Sequence, residues 1–427
     1  MEPERIAFVG VSDLSGHFRG KSFPLADLAQ RLERGVGLAP SNIMMSAFGP
    51  IHETPYGTAG EVLLVPAPET RVEVDFDDGP PEIFFCGDIV TLEGAAWGGC
   101  PRGFLKRGLE ALEREADLRL FSAFEQELVY TGAAGTPLPY TLDALRRQGR
   151  FGETLLAALR QAGITPDSFL AEYGPRQYEV TVKPAIGVAA ADHAVAVREL
   201  ARAAAFRLGH RAIFAPILTP DGVGNGTHIH FSLLNAAGAP AMPDPARPHG
   251  LSTLGEHFVA GVLKHLPALT SVTAPSVASY YRLRPDRWAP TEVSLAAVDR
   301  GAGLRICPLI GDDEASRRSQ FNVEYRVADA AASPHLALGA LVHAGVDGIR
   351  RALTLPTPGA APGAAADAEP LPATLTEALG RLAASTDARA WFGDVLFDLY
   401  LQLKRAEIRA LQGLDEAEIC RRYADVY

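Results

Sequence analysis

The sequence predicts an α+β fold that is divided into two domains. Its 427 residues exceed what one ordinary hydrophobic core holds, so the length favours more than one domain. The early part of the chain reads as short strands separated by Gly and Pro. Near Pro101 the pattern becomes helical, and strands and helices alternate from there on. We therefore predict an N-terminal domain at 1–100 and a larger second domain at 101–427.

The predicted strands of the N-terminal domain are short and bounded by turn residues. They are Arg5–Val11, Glu61–Val65, Thr70–Phe76 and Pro81–Val90. A helix is predicted to begin at Pro101, because proline is favoured in the first turn of a helix. Leu105, Leu109 and Leu112 then follow at helical spacing.

The second domain is predicted to alternate strands with helices. The predicted strands are Leu118–Tyr130, Leu170–Val182, Arg211–Pro216, Thr227–Leu234, Leu304–Pro308 and Asn322–Val327. The predicted helices are Leu142–Ala162, Asp192–Leu208, His335–Ala352 and two near the C-terminus, of which Trp391–Leu411 is the stronger. The segment Leu355–Pro372 is rich in Pro, Ala and Gly without any period, which predicts a mobile surface connection.

The overall composition argues against several classes of function. A net charge of −11 disfavours nucleic-acid binding, because contacts to phosphates need a basic surface. The chain has no apolar run long enough to span a membrane, and MEPERIAFVG is unlike a secretory signal. The 4 cysteines are far apart and form no CxxC pair, which favours isolated thiols in a reducing compartment. We therefore expect a cytoplasmic protein with no nucleic-acid or membrane partner.

Paired carboxylates on one predicted strand give the first indication of chemistry. In SAFEQELVY, Glu125 and Glu127 are two residues apart, so both side chains point to the same face of the strand. Phe124 and Leu128 occupy the other face. Two like charges side by side in an apolar segment are unfavourable unless a cation lies between them. A single ExE of this kind is more often a solvated face, so further residues are needed.

Three more predicted strands carry polar groups at alternating positions. These groups are Gln177 and Glu179, with Glu172 earlier in the same predicted strand, then His228, His230 and Ser232, then Glu324 and Arg326. Several carboxylates with one imidazole suit Mg²⁺ or Mn²⁺ better than zinc. Pairs of such ions clamp the oxygens of a phosphoryl group during transfer. The joint occurrence of these residues therefore predicts a metal-dependent phosphoryl-transfer site.

The order of the motifs resembles the glutamine synthetase family. ExE, E-x-x-P-x-Q-x-E, G-x-G-x-H-x-H-x-S, S-Y-x-R-L, R-x-x-x-x-R and E-x-R are similar to the catalytic domain of that family, from about Pro101 to Ile349. DLSGHFRGKSFP and LLVPAPETR resemble its small N-terminal domain. The resemblance implies a β-grasp domain followed by a catalytic domain with a curved antiparallel sheet flanked by helices. It also implies ATP as a co-substrate, together with Mg²⁺ or Mn²⁺ at two or more positions per site.

The resemblance assigns roles to individual residues. It places one metal on Glu127, Glu172 and Glu179, and a second on Glu125, His228 and Glu324. It places His230, Ser232 and Arg305 near the nucleotide, and Arg282 on the carboxylate of the acid substrate. It implies that Arg300, Arg305 and Arg326 stabilise the transferring phosphoryl group. It also implies that the substrates are bound by Gly224, Asn225, Gly226, Arg282, Trp288 and Arg326.

Several departures from the family pattern bear on the substrates. Trp288 stands where glutamine synthetases carry a glutamate that binds and deprotonates ammonium, and Trp cannot accept a proton. SAFGPIHETPYG lacks the aspartate that completes the ammonium site. Val223 replaces an asparagine that contacts glutamate, with Asn225 as a candidate substitute, and Asn322 replaces a nucleotide-binding arginine. The expected metal ligands are all present, so the pattern predicts ATP chemistry with an amine larger than ammonia.

We therefore interpret the chain as an ATP-dependent carboxylate–amine ligase that forms an amide, with a γ-glutamyl amide favoured, through an acyl phosphate. Glutamine synthetase itself and a catalytically silent structural relative remain alternatives. A nucleotide-binding oxidoreductase is rejected, because the glycines of DGVGNG precede the strand pattern THIHFSL and not a helix. The resemblance also implies a homo-oligomer, with stacked rings expected, in which Asp13–Lys21 and Ser46–Gly57 lie near an interface. Its other partners would be the small-molecule acid and amine.

Overall fold

The structure is a computed structural model that describes residues 3–356 and 369–427. Most of the predicted connection Leu355–Pro372 therefore lies outside the described residues. The described part contains two sheets covered by helices, which confirms the predicted α+β class. Among these residues, none of the helices combines the length and the apolar character needed to cross a membrane.

The N-terminal sheet is mixed. Its elements are β1 (Ile6–Ser12), β2 (Phe18–Pro24), α1 (Leu28–Arg34), β3 (Val36–Leu38), β4 (Val62–Pro66), β5 (Val72–Val74) and β6 (Glu82–Val90). The strand order is β2-β1-β6-β4-β3, with β5 also paired to β6, and β1 runs parallel to β6. Val9 on β1 is fully buried in the same core as Leu341, far along the chain. Because the core is continuous in this way, the division at residue 100 stays a prediction.

The second sheet is larger and mainly antiparallel. Its strands are β7 (Leu118–Tyr130), β8 (Pro166–Ala171), β9 (Gln177–Val182), β10 (Ala185–Ile186), β11 (Ala212–Ile213), β12 (Thr227–Asn235), β13 (Leu295–Ala297), β14 (Leu304–Ile306) and β15 (Val323–Tyr325). The order is β13-β14-β15-β12-β7-β9-β8, with β10 and β11 also paired to β7. The pairing of β13 with β14 is parallel, and the other strand pairs of this sheet are antiparallel.

Helices cover one face of this sheet and form the C-terminal part of the chain. They are α2 (Pro101–Ala116), α3 (Leu142–Arg146), α4 (Phe151–Gln161), α5 (Ala189–Arg207), α6 (Thr253–Thr273), α7 (Ser279–Arg282), α8 (Glu314–Gln320), α9 (Pro334–Arg350), α10 (Leu375–Ala384), α11 (Thr386–Phe392), α12 (Asp394–Ala410) and α13 (Glu416–Val426). α6 and α9 cross at very short range, because a Cβ at Gly348 would lie 2.0 Å from the carbonyl oxygen of His257. Only glycine allows the two backbones to approach this closely.

Three predicted elements are divided in the structure. The predicted strand Leu170–Val182 is the hairpin β8–β9, since Gly174 and Pro175 do not support a continuous strand. The predicted helix Leu142–Ala162 is broken between α3 and α4, where Gly149 has a φ of 68°. The predicted helix Trp391–Leu411 is divided between α11 and α12 at Gly393, which has a φ of 73°. A backbone in this left-handed region cannot continue a right-handed helix.

Two further elements differ from the prediction: one strand is shorter than predicted and one helix is additional. The predicted strand Arg211–Pro216 shrinks to β11, because the next amide, that of Phe214, donates to the carbonyl oxygen of Tyr427 outside the sheet. The helix α6 was not predicted at all. Much of its surface is buried and it contains Pro267, so its sequence lacks the one-sided apolar pattern that marks a surface helix.

Candidate active site

The two carboxylates of the ExE motif lie on β7, which alternates strictly between two environments. From Leu118 to Leu128 every second side chain is buried, and the residues between them, including Glu125 and Glu127, are only partly buried. Phe124 and Leu128 belong to the buried face. Glu125 and Glu127 therefore point together away from the core, toward a cavity of about 1180 Å³.

This cavity collects most of the residues that the sequence singles out. Its lining includes Glu125, Glu127, Glu172, Glu179, Gly224, Gly226, His228, Arg282, Trp288, Arg300, Arg305 and Arg326. Glu324 and His230 lie beside the lining in direct contact with these residues. Ser232 is buried further along β12, opposite Phe121 of β7. Residues from separate strands and loops thus converge on one concave site, the usual form of an active site.

One group of ionisable side chains is centred on Glu125. Its carboxylate lies 3.3 Å from Nδ1 of His228 and 3.1 Å from Nε2 of His230. Glu324 lies 3.4 Å from the same Nδ1 of His228. Burial opposes the ionisation of Glu125, but its contacts to the two imidazoles outweigh that effect and lower its pKa. Among these residues, ligand atoms of Glu125, His230 and Glu324 are close enough together to share a cation.

The remaining carboxylates repel one another. Glu127 and Glu179 are directly opposite in the β7–β9 ladder, where like charges are destabilising. Burial, followed by the charges of Glu125, Glu127 and Glu172, raises the pKa of Glu179 to about 9. Glu127 Oε2 accepts hydrogen bonds from the Gly226 amide at 2.7 Å and from Gln177 at 3.2 Å, which orient the carboxylate. The donor set of carboxylates with imidazole fits a hard divalent cation, and such an ion would relieve the repulsion.

Two sets of candidate ligand atoms lie close together in the site, and the assignment of ligands to individual metals stays a prediction. Ligand atoms of Glu125, Glu179 and His228 lie within 4.8 Å of one another, and so do those of Glu125, His230 and Glu324. The resemblance instead placed Glu179 with Glu127 and Glu172. Glu172 lies beyond the end of β8, in the turn of the hairpin, and not on a strand as predicted. A single strand would have pointed Glu172 and Glu179 to opposite faces, whereas the turn allows both to line the cavity.

The arginines on this side of the cavity are held in fixed positions. Arg305 donates to one oxygen of Glu324 at 2.7 Å, and Arg326 donates to the other oxygen. Their Nε atoms donate to the backbone, Arg305 to Val298 at 3.1 Å and Arg326 to Arg300 at 2.8 Å. The loop that carries Arg300 is thus attached to both guanidinium groups. A rigid cluster of guanidinium groups suits a phosphoryl group or a carboxylate.

Arg282 is nearly fully buried beneath the loop of Gly224. Its guanidinium donates to the carbonyl oxygen of Ala328 at 2.7 Å. A Cβ at position 224 would lie 2.3 Å from Cγ of Arg282, so a glycine is required there. Burial lowers the pKa of Arg282, although a guanidinium remains charged at neutral pH.

The structure corrects the candidate role of Asn225. Its side chain is fully buried and lies outside the cavity lining. Its Oδ1 accepts from Gln177 at 2.8 Å, and its Nδ2 donates to the carbonyl oxygen of Ala215 at 2.8 Å. Both polar atoms are therefore used to hold the loop, and Asn225 does not replace the substrate contact that is lost with Val223 in the cavity wall.

Two functional features were missed at the level of sequence. Tyr140 lines the cavity, and its hydroxyl donates to Oε2 of Glu172 at 2.7 Å. It has a φ of 58°, an unusual backbone conformation for a tyrosine that no sequence pattern signals. Gln177 was recognised within its motif, but its single amide nitrogen contacts Glu127, Asn225 and the carbonyl of Gly224. This convergence depends on two strands, β7 and β9, meeting the loop before β12 in space.

Trp288 is held in an exposed position at the cavity wall. Its side chain is 78% exposed, and its φ is 56°. The preceding residue, Arg287, donates to the carbonyl oxygens of Gly222 and Pro220 and so ties this segment to the neighbouring loop. Tyr140 and Tyr173 are also exposed in the same cavity. The lining therefore adds aromatic faces to the arginines and carboxylates.

The comparison with protein-family models covers almost the whole chain. Residues 98–423 match the glutamine synthetase catalytic domain, and residues 2–97 match the glutamine synthetase N-terminal domain.

Individual proteins of the same kind are similar over comparable lengths. Gamma-glutamylpolyamine synthetase GlnA3 of Streptomyces coelicolor is 34% identical over 442 aligned positions, which cover 96% of this chain and 91% of that protein. A solved structure described as a novel glutamine synthase homolog is 41% identical, with a TM-score of 0.93 over 100% of this chain and 99% of the other. GmaS in complex with ADP is 25% identical, with a TM-score of 0.82 over 97% and 95% of the two chains.

Proposed function

Because this chain belongs to the glutamine synthetase family and is an ATP-dependent carbon–nitrogen ligase, we propose that it joins glutamate to an amine larger than ammonia and so forms a γ-glutamyl amide. The observation that carries the proposal is Trp288, which exposes an aromatic face in the cavity at the position expected for a proton-accepting carboxylate. The name of the similar protein from Streptomyces coelicolor specifies a polyamine as its amine, which supports an amine larger than ammonia for this chain.

The acid must be activated before an amine can attack it. A carboxylate is a poor electrophile, so one of its oxygens must first receive a phosphoryl group from ATP and become part of a leaving group. Negative charge then develops on the phosphoryl oxygens, and fixed cations stabilise it. Arg300, Arg305 and Arg326 line the cavity and are the proposed cations, and Arg282, also in the lining, is the proposed contact for the acid substrate's other carboxylate.

Members of this family use divalent metal ions, and the carboxylates of this site suit them. We propose two Mg²⁺ or Mn²⁺ ions, one held by Glu127, Glu172 and Glu179 and the other by Glu125, His228 and Glu324. When bound, such ions neutralise the phosphate oxygens and align the phosphoryl group for in-line transfer. His230, Ser232 and Arg305 are the proposed nucleotide contacts; His230 is fixed by a 2.8 Å contact between its Nδ1 and Oδ1 of Asn322.

The proposed amine subsite is formed by aromatic faces, with the carboxylates of Asp221 and Asp286 also in the cavity lining. Trp288, Tyr140 and Tyr173 present rings to the cavity. Aromatic faces attract organic cations and pack against alkyl or aromatic groups, and an ammonium ion is too small to use such surfaces fully. The Tyr140 hydroxyl is already directed at Glu172. A larger amine therefore gains contacts here that ammonia does not.

A phosphate-release screen tests the proposed function. Purified protein is mixed with ATP, Mg²⁺ or Mn²⁺, glutamate and one member of an amine panel that includes ammonia, alkylamines, polyamines and aromatic amines. We expect phosphate release to require both the acid and the amine, with a larger amine giving the highest kcat/KM. The highest value with ammonia would instead identify a glutamine synthetase. No release with any amine would favour a silent structural relative, although the intact carboxylate cluster argues against one.

Proteins of this family are oligomeric, and we propose that this chain forms stacked rings in which the N-terminal sheet of one subunit faces the cavity of the next. The loop Ser46–Gly57 supports this proposal, because its tip is exposed while its base is fixed by a 2.7 Å hydrogen bond from the Ala47 amide to Glu407. Light scattering should give the mass of a large oligomer, and a fully active monomer would contradict the proposal.

We also propose a cytoplasmic location. The cysteines Cys86, Cys100, Cys307 and Cys420 are all free and buried, as expected for a protein of a reducing compartment.

A further inference from the structure

The face of β7 that points away from the cavity contains an unexpected polar residue. Gln126 lies between Glu125 and Glu127 and therefore points in the opposite direction, into the core. It is fully buried, between the apolar side chains of Phe124 and Leu128 on the same face. A buried amide is unfavourable unless all its polar atoms find partners, so the contacts of Gln126 are informative.

One turn of α5 provides both partners. Gln126 donates through Nε2 to the carbonyl oxygen of Ala194 at 3.0 Å. Its Oε1 accepts from Nε of Arg198 at 2.7 Å. Because Ala194 and Arg198 are four residues apart, they lie on the same side of the helix and hold the amide between them. The strand that carries Glu125 and Glu127 is thereby fixed to α5 midway between the two carboxylates.

The same guanidinium reaches a second part of the site. Nη1 of Arg198 donates to the carbonyl oxygen of Ala332 at 2.9 Å. Ala332 belongs to the segment that follows β15, the strand of Glu324, and the same segment accepts the hydrogen bond from Arg282 at Ala328. Arg198 therefore joins the strand of Glu125 and Glu127 to the segment that continues from Glu324.

Arg198 is an unfavourable residue for stability alone. It is 3% exposed, and within residues 3–356 and 369–427 its recorded hydrogen bonds go to neutral oxygens only. Burial lowers the pKa of Arg198 to about 9. A buried cation beside a buried amide is commonly less stable than two apolar residues of similar size. A contribution to the geometry of the site accounts for this arrangement better than a contribution to stability does.

We propose that Arg198 is a positioning residue, which acts through Gln126 and Ala332 to hold Glu125, Glu127 and Glu324 at the spacing that the two proposed divalent ions require. The inference rests on the proposed metal site. Groups that orient metal ligands without touching the metal typically change the affinity by about 10–100-fold when they are removed. The carboxylates have no other support of this kind from the buried face of β7 among the residues that the structure describes.

Binding of Mn²⁺ to the full-length protein without nucleotide, followed by electron paramagnetic resonance, tests the inference. We expect Arg198→Met and Gln126→Met each to weaken Mn²⁺ binding by about tenfold or more. The double variant should bind about as weakly as either single variant, because both changes remove the same connection. Its thermal midpoint in the presence of a chelator should equal or exceed that of Arg198→Met, since it also removes the Gln126 Oε1 that Arg198→Met leaves without a partner.

Two further variants keep the test decisive. Arg198→Lys retains the charge but cannot make both contacts, so its Mn²⁺ affinity should fall between those of the wild type and Arg198→Met. Lys404→Met removes another buried cation, one paired with Glu407; neither residue lines the cavity, so this variant should lower stability without changing Mn²⁺ affinity. Folded Arg198→Met with an affinity within twofold of the wild type would overturn the inference. Absence of Mn²⁺ binding by the wild type would overturn the proposed metal site itself, and the inference with it.

Discussion

Replacement of Glu127 by alanine is expected to reduce ATP turnover by about a thousandfold or more while the protein stays folded. The loss is large because the carboxylate is a proposed metal ligand, and charge stabilisation of a transferring phosphoryl group contributes several kcal/mol to catalysis. The fold should tolerate the change, because Glu127 lies directly opposite Glu179 and its removal relieves a repulsion. Phosphate release at saturating metal, together with a thermal melt, measures both effects.

Glu324→Ala should cause a similar loss of turnover with a different effect on stability. Arg305 and Arg326 each donate to this carboxylate, so its removal leaves two largely buried guanidinium groups without their partner. A broken buried ion pair commonly destabilises a protein by about 3–5 kcal/mol. Glu324→Gln retains hydrogen-bonding capacity and serves as the matched control. Near-wild-type turnover of a Glu127 or Glu324 variant at low metal concentration would show that the ligand assignment is wrong.

Trp288 is expected to determine the preference for the amine. The nucleophile is the neutral amine, and alkylamines resemble a lysine side chain, with a pKa of about 10.4, so most molecules arrive protonated. A glutamate could attract the cation and accept its proton, whereas tryptophan provides only a cation–π contact of about 0.5–2 kcal/mol. Trp288→Glu should therefore narrow the ratio of kcat/KM between the best larger amine and ammonia, and Trp288→Ala should lower the value for the larger amine by about 2–30-fold.

The alternative role for Trp288 is to pack the segment closed. That role predicts an equal loss of rate with every amine, and it fits poorly with a side chain that is 78% exposed. Trp288→Phe is the matched control, because it retains an aromatic face of smaller area and should preserve the order of preference. Ammonia as the best substrate of the wild type, or an amine preference unchanged in Trp288→Glu, would refute the proposed role.

The parts of the site that could be predicted from sequence are those that depend on local periodicity. Alternation along β7 places Glu125 and Glu127 on one face whatever the rest of the chain does. Alternation does not place Glu172 beside Glu179, because the two are an odd number of residues apart; they come together because Gly174 and Pro175 turn the chain between β8 and β9.

Other parts of the site depend on contacts between distant segments. Tyr140 approaches Glu172 only because the loop before α3 folds over the hairpin, and nothing in the residues around Tyr140 indicates that contact. Asn225 has the right chemistry for a substrate contact, but its neighbours Gln177 and Ala215 already use both of its polar atoms. Residue type and spacing therefore identified candidate site residues. Which way each side chain points, and what it contacts, could be read only from the three-dimensional structure.

The attachment of Arg287 to the carbonyl oxygens of Gly222 and Pro220 has a consequence for how such an enzyme can diversify. Backbone carbonyls are present whatever side chains the loop carries, so the attachment survives most substitutions in the loop. The adjacent position 288 projects from a fixed base and contributes little to packing. Its side chain can therefore be exchanged without disturbing the arginines and carboxylates of the catalytic end. If position 288 sets the amine preference, that preference can change by substitution at this one position, through natural drift or directed evolution, while the catalytic residues stay in place.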